Sequence, residues 1–137
     1  KVGGKRNLLS DFYSFDPVKL RWTQLTDGAT GEGPGKRSGH AMSMVNGGIF
    51  LFGGGGEGDQ SFLDSLWVYD TATRRWHMLG QEDEGGNVGS KRPCGRAAHC
   101  MFASGSSIYV ATGLTADGTK GIHSLGDVAS FDAATWR

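Results

Sequence analysis

Short apolar beats separated by turn residues run through the chain. Gly48-Ile49-Phe50-Leu51-Phe52 and Leu66-Trp67-Val68-Tyr69-Asp70 are runs of five, rich in β-branched and aromatic residues and closed by glycines or by a charged turn. Runs of that length and composition read as strands, not helices. One stretch predicts four of them, at about Gly39 to Val45, Gly48 to Phe52, Ser65 to Tyr69 and Arg75 to Leu79. The first two are joined by Asn46-Gly47, a pair that accepts the positive φ angles of a type I′ hairpin turn. The 24 glycines among 137 residues point the same way, because glycine weakens a helix interior by roughly 1 kcal/mol per residue. No run approaches the roughly 20 apolar residues of a membrane-spanning helix.

Aligning the aspartates that follow aromatic residues brings out a repeat. FYSFDPVKLRW (Phe12 to Trp22), LWVYDTATRRW (Leu66 to Trp76) and DVASFDAATWR (Asp127 to Arg137) share an apolar alternation, an aromatic-Asp pair and a short turn. Upstream, Gly35 to Gly54 aligns with Cys94 to Gly113, setting Arg37 over Arg96, His40 over His99 and Gly53-Gly54 over Thr112-Gly113. The first copy keeps only the tail Val2-Gly3-Gly4 before Asp11.

This layout resembles the kelch repeat: an apolar strand ending in two glycines, then an aromatic residue, then a tryptophan after six intervening residues, as from Phe15 to Trp22 and from Tyr69 to Trp76. Two features depart from the pattern. Thr112 stands in place of the first glycine, and the spacing of the aspartates exceeds the usual repeat of about 50 residues. The resemblance implies an all-β fold of kelch-type β-propeller blades, each of four antiparallel strands. Residues 1–27 would end one blade, 35–80 would form a full blade, and 93–137 most of a third. A propeller closes with about 4 to 8 blades, so an open, incomplete fragment of a longer polypeptide is expected, whose remaining blades would be its first partners. Trp67, Tyr69 and Trp76 are expected as wedges between blades. The tryptophan due six steps after Asp132 falls just past Arg137. Trp136 is therefore expected to be exposed or covered by another chain, with at most three strands in the third blade.

The glycine run could be mistaken for a phosphate loop. Gly53, Gly55 and Gly58 satisfy G-x-G-x-x-G, but the following QSFLDSLWVY is strand-like, and without a helix N-terminus there is no dipole to hold a pyrophosphate. GPGKRSGH fails as a Walker loop, since Arg37 replaces the Ser/Thr and Thr30 the leading glycine. The doublet is read as structural, with close backbone approach where the strand leaves the sheet.

Fourteen basic residues balance fourteen acidic ones, so no global field draws the protein to nucleic acid or an anionic membrane. Cys94 and Cys100 are read as reduced thiols in a cytosolic protein, with a single disulfide the alternative. CGRAAHC has no C-x-x-C pair, so no zinc site is expected.

Alternating strands divide the connections between two faces. One carries the tight turns VNGG, ASGS, DPVKLR and DTATRR; the other carries the long segments Thr26 to Lys36, Gly53 to Asp64, Gly80 to Gly95 and Gly113 to Gly126. Long loops on a rigid scaffold are where binding residues gather. Glu82, Asp83 and Glu84 beside Lys91 and Arg92 make a mixed surface suited to a protein partner. Candidate partner-binding residues are Arg37, Arg96, Gln60, Phe62, Arg92, Lys120 and His123. In some kelch-family propellers arginines at the channel mouth contact acidic peptides, and the resemblance extends this role to Arg37 and Arg96. Hydrogen bonding to carbonyls of the adjacent blade is the alternative, and His40 and His99 are read as buried, hydrogen-bonded residues. The function expected is a non-catalytic protein-interaction module, a scaffold or substrate-recognition domain. It would need no cofactor or metal and be cytoplasmic, with cytoskeletal association among the family's options. The alternatives are a segment of an oxidase-like or metal-dependent enzyme, or a structural subunit of a large assembly.

Overall fold

Asn46 and Gly47 adopt φ angles of 49° and 74°, the left-handed pair that folds one strand back on the next. From such turns the chain builds antiparallel ladders. The structure, a computed structural model, describes residues 7–25, 33–57, 62–80, 92–117, 121–134 and 136. Among them there is no helix. The strands are β1 (Tyr13–Asp16), β2 (Arg21–Gln24), β3 (Ala41–Val45), β4 (Gly48–Phe52), β5 (Leu66–Asp70), β6 (Arg75–Leu79), β7 (Cys100–Ser104), β8 (Ser107–Ala111), β9 (Leu114–Asp117), β10 (Gly121–Ser124) and β11 (Val128–Asp132). The Val2-Gly3-Gly4 tail of the first repeat lies outside the described residues.

The second repeat forms a four-stranded sheet in the order β3-β4-β5-β6. Its register sorts side chains into two faces, because alternate residues of a strand point to opposite sides. Met42, Leu51, Trp67 and Met78 form one cross-strand row, and Met44, Ile49, Tyr69 and Trp76 the next row on that face. The other face carries Ala41, Phe52, Leu66 and Leu79, then Ser43, Phe50, Val68 and His77. Both faces are covered at the centre. Phe12, of the first repeat, sets its ring 5.0 Å from Tyr69 and 5.3 Å from Trp76. On the opposite side Val45, Phe50 and Val68 join Ile108 and Ala133 of the third repeat in one buried cluster. Phe50 and Val68 are fully buried, and such burial stabilises by about 1.5–3 kcal/mol per side chain. The wedge residues Trp67 and Tyr69 are buried as well.

The first repeat contributes the β1-β2 hairpin, with Tyr13, Phe15 and Trp22 exposed. The third forms a three-stranded sheet in the order β11-β8-β7, and its long connection folds into a separate hairpin, β9 with β10. Sequence reading missed that hairpin, although Asp117-Gly118 between two short apolar segments is a hairpin signal.

Trp136 corrects an expectation. It is half-buried, not free, with its ring 5.6 Å from Phe50 in an edge-on contact. Ala133 N–H donates to the Ser106 carbonyl, and Ala134 N–H to the Asp132 carboxylate, which turns the chain at the end of β11. Gly48 leaves the indole its space: a Cβ there would stand 2.7 Å from Trp136 Cζ2. Trp136 lies in no strand, so it reaches the seam between repeats from the turn position that its alignment with Arg74 implies.

Candidate protein-interaction face

The second and third repeats each place an arginine and, three residues on, a histidine just before the inner strand, β3 or β7. Arg37 donates from Nη1 to the Gly53 carbonyl at 2.9 Å and to Ser65 Oγ at 3.4 Å, and from Nη2 to the Pro34 carbonyl. Arg96 donates to the equivalent Thr112 carbonyl at 2.9 Å and grips Asp127 with two bonds of 2.7 and 2.8 Å. Ser65 and Asp127 occupy the same repeat position, and both fasten the start of the third strand to the end of the second.

Electrostatics separates the two arginines. Burial lowers the Arg37 pKa, and no carboxylate offsets it. For Arg96 the Asp127 hydrogen bond outweighs burial and raises the pKa, while the same bond holds Asp127 below the usual carboxylate range. Of the two roles expected for these arginines, clamping a partner's carboxylate or bonding to carbonyls, the carbonyl bonds are present, though within the arginines' own repeats. Arg37 is 8% exposed and Arg96 is fully buried, and their donors are spent on carbonyls and side chains of their own repeats. Arg37 Nε alone finds no partner among the described residues.

The same segments stitch neighbouring repeats together. Arg37 N–H donates to the Leu9 carbonyl at 3.2 Å, and Arg96 N–H to the equivalent Leu63 carbonyl at 3.3 Å. Gly54 N–H then donates to the Arg96 carbonyl at 2.8 Å. Gly53 has to be glycine, since its φ is 70° and a Cβ would stand 2.5 Å from that carbonyl oxygen. His99 seals the seam, buried and edge-on to Phe52 at 5.6 Å. Its ring nitrogens and His40 Nδ1 have no hydrogen-bond partner among the described residues. Burial first, and the adjacent arginine second, lower both histidine pKa values. His99 is buried as expected and His40 is half-buried, and neither is hydrogen-bonded through those nitrogens.

The remaining predicted residues are scattered. Phe62 is half-buried at an isolated bridge to Gly55, and its carbonyl presses on Gly95, where no Cβ would fit. Arg92 is exposed and lies against Gly80, its Nη2 only 2.6 Å from where a Cβ would be. His123 sits on β10, with Nδ1 3.2 Å from the Gly121 carbonyl. Thus Phe62 and Arg92 belong to the seam between the second and third repeats, whereas His123 belongs to the separate β9-β10 hairpin. Gln60 and Lys120, like Glu82, Asp83, Glu84 and Lys91, lie outside the described residues. Sequence reading missed Asp127 and Ser65, which the repeat alignment could have paired with the arginines.

Two cavities flank the second blade. One, of about 310 Å³, lies against the first repeat between Asp11, Phe12, Arg37, His40, Leu51 and Trp76. The other, of about 170 Å³, lies against the third, with Asp64 and Arg92 among its lining. Among the described residues no three His, Cys, Asp or Glu side chains gather as a metal site would require, and Cys94 and Cys100 are both free.

A hairpin, a four-stranded antiparallel meander and a three-stranded antiparallel sheet in successive repeats, stitched together by the segments that precede β3 and β7, define an open array of β-propeller blades. The chain belongs to the kelch-repeat family, matching the KLHDC2/KLHL20/DRC7 Kelch-repeats domain over residues 2–137. It is similar to host cell factor 2 of Homo sapiens, 34% identical over 98 residues, which cover 72% of this chain and 11% of that protein. It is also similar to the Rab9 effector protein with kelch motifs of Bos taurus, 34% identical over 116 residues, or 83% of this chain and 28% of that protein. A third relative, Mei4-dependent protein 6 of Schizosaccharomyces pombe, is 29% identical over 114 residues, 79% of this chain and 16% of that protein. The chain spans under a third of the length of each.

Proposed function

We propose that this chain is part of a non-catalytic protein-interaction domain, a kelch scaffold whose partner docks on the long-loop face. The observation that carries this reading is the division of labour between the layers. The arginine side chains are occupied within their own repeats, while the arginine backbone, Gly53-Gly54 and His99 hold repeat to repeat. Exposed charge such as Asp64 and Arg92 instead rims a cavity beside the long loops. A rigid frame with variable loops is the arrangement that binding surfaces use. The Rab9 effector protein with kelch motifs is by its name an effector, which agrees with this reading.

The test uses the full-length protein and partners identified by proximity labelling in its own cells. Charge reversal at exposed long-loop positions, Asp64→Lys with Arg92→Glu, should weaken an identified partner at least ten-fold and leave the melting temperature unchanged. Substitutions on the tight-turn face, Val18→Ser with Thr71→Lys, should leave affinity within two-fold. The reverse pattern would refute the docking face.

A further inference from the structure

The alignment of repeats reveals a place where bulk is lost. With Asp11, Ser65 and Asp127 at one repeat position, Tyr13, Trp67 and Ala129 share the position two residues on. Trp67 is 9% exposed and fills its side of the second blade. At Ala129 the aromatic ring is gone, and the cavity of about 170 Å³ opens in front of it. Phe52, Leu66 and Leu79 of the second blade and Ile108 and Val110 of the third form its walls. Arg92 and Asp64 stand at its rim, exposed, and neither forms an ion pair with another described residue. Gly80, at a φ of 72°, lets the Arg92 guanidinium lie against the backbone there.

Size and chemistry select the occupant. Cofactor and drug-sized sites run to about 300–1,000 Å³, which this cavity does not reach. An apolar cavity of about 150 Å³ lined by Leu, Ile and Phe stays dry and accepts a benzene ring. We propose that this cavity is an anchor pocket for one aromatic or leucine-type side chain of a protein partner, next to an acidic residue that meets Arg92. Buried apolar anchors of this kind supply much of the energy of an interface, with charged groups around them at the rim. The proposal rests on the interaction function above and adds the chemistry of the segment recognised.

Two measurements on the full-length protein test it. Indole is titrated while the methyl signals of Leu66, Leu79, Ile108 and Val110 are followed by nuclear magnetic resonance. Saturable shifts confined to these methyls are expected, and Ala129→Trp, which restores the ring of the preceding repeat, should abolish them. Random twelve-residue peptides displayed on phage are then selected on the wild type. Enriched peptides should share a Trp, Phe or Leu beside an Asp or Glu and lose at least ten-fold in affinity on Ala129→Trp. Arg92→Glu alters only an exposed side chain, so it folds whether or not the tryptophan fits, and it should exchange the acidic preference for a basic one. Absence of saturable methyl shifts means the protein's own chain fills the pocket and overturns the proposal. Peptides that bind wild type and Ala129→Trp equally also overturn it, while leaving the interaction function standing. That function fails separately if the loop-face charge reversals leave the cellular partner bound.

Discussion

Exchanging the acid of one repeat for the hydroxyl of the other tests the arginine network directly. Asp127→Ser gives the third repeat the partner that Arg37 has in the second. It removes two charge-assisted bonds, of 2.7 and 2.8 Å, from a fully buried guanidinium and leaves Arg96 with the Thr112 and Cys94 carbonyls. Hydrogen bonds to charged groups are worth about 1.5–3 kcal/mol. Because the Asp127 side chain is 49% exposed, solvent screening reduces the expected loss to about 1–2 kcal/mol. Urea unfolding of the full-length protein at several pH values is the assay. The Asp127 pKa is depressed, so its contribution is fully present above the unfolded value near 3.8 and is lost as pH falls through the lower folded value. The gap between wild type and variant should therefore be constant from pH 7 to 5 and close only below pH 3.8. A gap under about 0.5 kcal/mol at pH 7, the ordinary range of an inert surface change, would refute the reasoning, as would a gap that varies between pH 7 and 5. The reverse exchange, Ser65→Asp, should stabilise by about 1 kcal/mol by giving Arg37 a carboxylate.

Gly53→Ala should destabilise by at least about 2 kcal/mol in thermal unfolding, through left-handed strain and collision with the Arg96 carbonyl. Gly55→Ala, with open space around it, should stay within about 0.5 kcal/mol. The lowered His99 pKa means stability is full above the unfolded value near 6.5 and falls as pH drops through it toward the folded value. His99→Phe keeps a ring against Phe52 and should remove its share of that slope, at most about 1.4 kcal/mol per pH unit; parallel melting profiles between pH 7 and 5 would contradict this. Thr112→Gly, at a φ of 61°, should raise stability by up to about 1 kcal/mol by relieving a β-branched residue in left-handed backbone, and a lower melting temperature would count against it.

The strands of the second blade were legible to within two residues. Alternation and the Asn46-Gly47 turn are local signals, and local signals survive packing. Only the edges moved, with β3 beginning at Ala41 and not Gly39, whose φ of 69° keeps it out of the ladder. The hydrogen-bond partners of the arginines were not legible for a non-local reason. What buries Arg37 and Arg96 is the carbonyl of a glycine or threonine 16 residues away and a side chain some 30 residues away. No window along the chain contains those partners. The repeat alignment does contain them, because it sets Ser65 over Asp127, but only once the arginine is asked which residue shares its end of the blade. Trp136 failed similarly: its register was right, but the bare backbone of Gly48 that receives it belongs to another repeat.

Comparing repeats position by position separates what the frame demands from what it tolerates. Gly54 and Gly113 meet their own repeat: a Cβ on either would stand 2.9 Å from a carbonyl oxygen, of Ser38 or of Ala97, just before the inner strand. Both described copies carry that backbone, so the second glycine is required in each of them. The first glycine answers to a different constraint. Gly53 is buried beneath the Arg96 carbonyl of the following repeat, whereas Thr112 is exposed and can carry a side chain at the cost of its left-handed φ. Side chains facing the seams are freer still, as Trp67 against Ala129 shows. A substitution there changes the volume between blades without touching a backbone hydrogen bond. A seam can therefore acquire a pocket while the stitching around it stays intact, which is the condition a binding site needs if it is to vary on a constant frame.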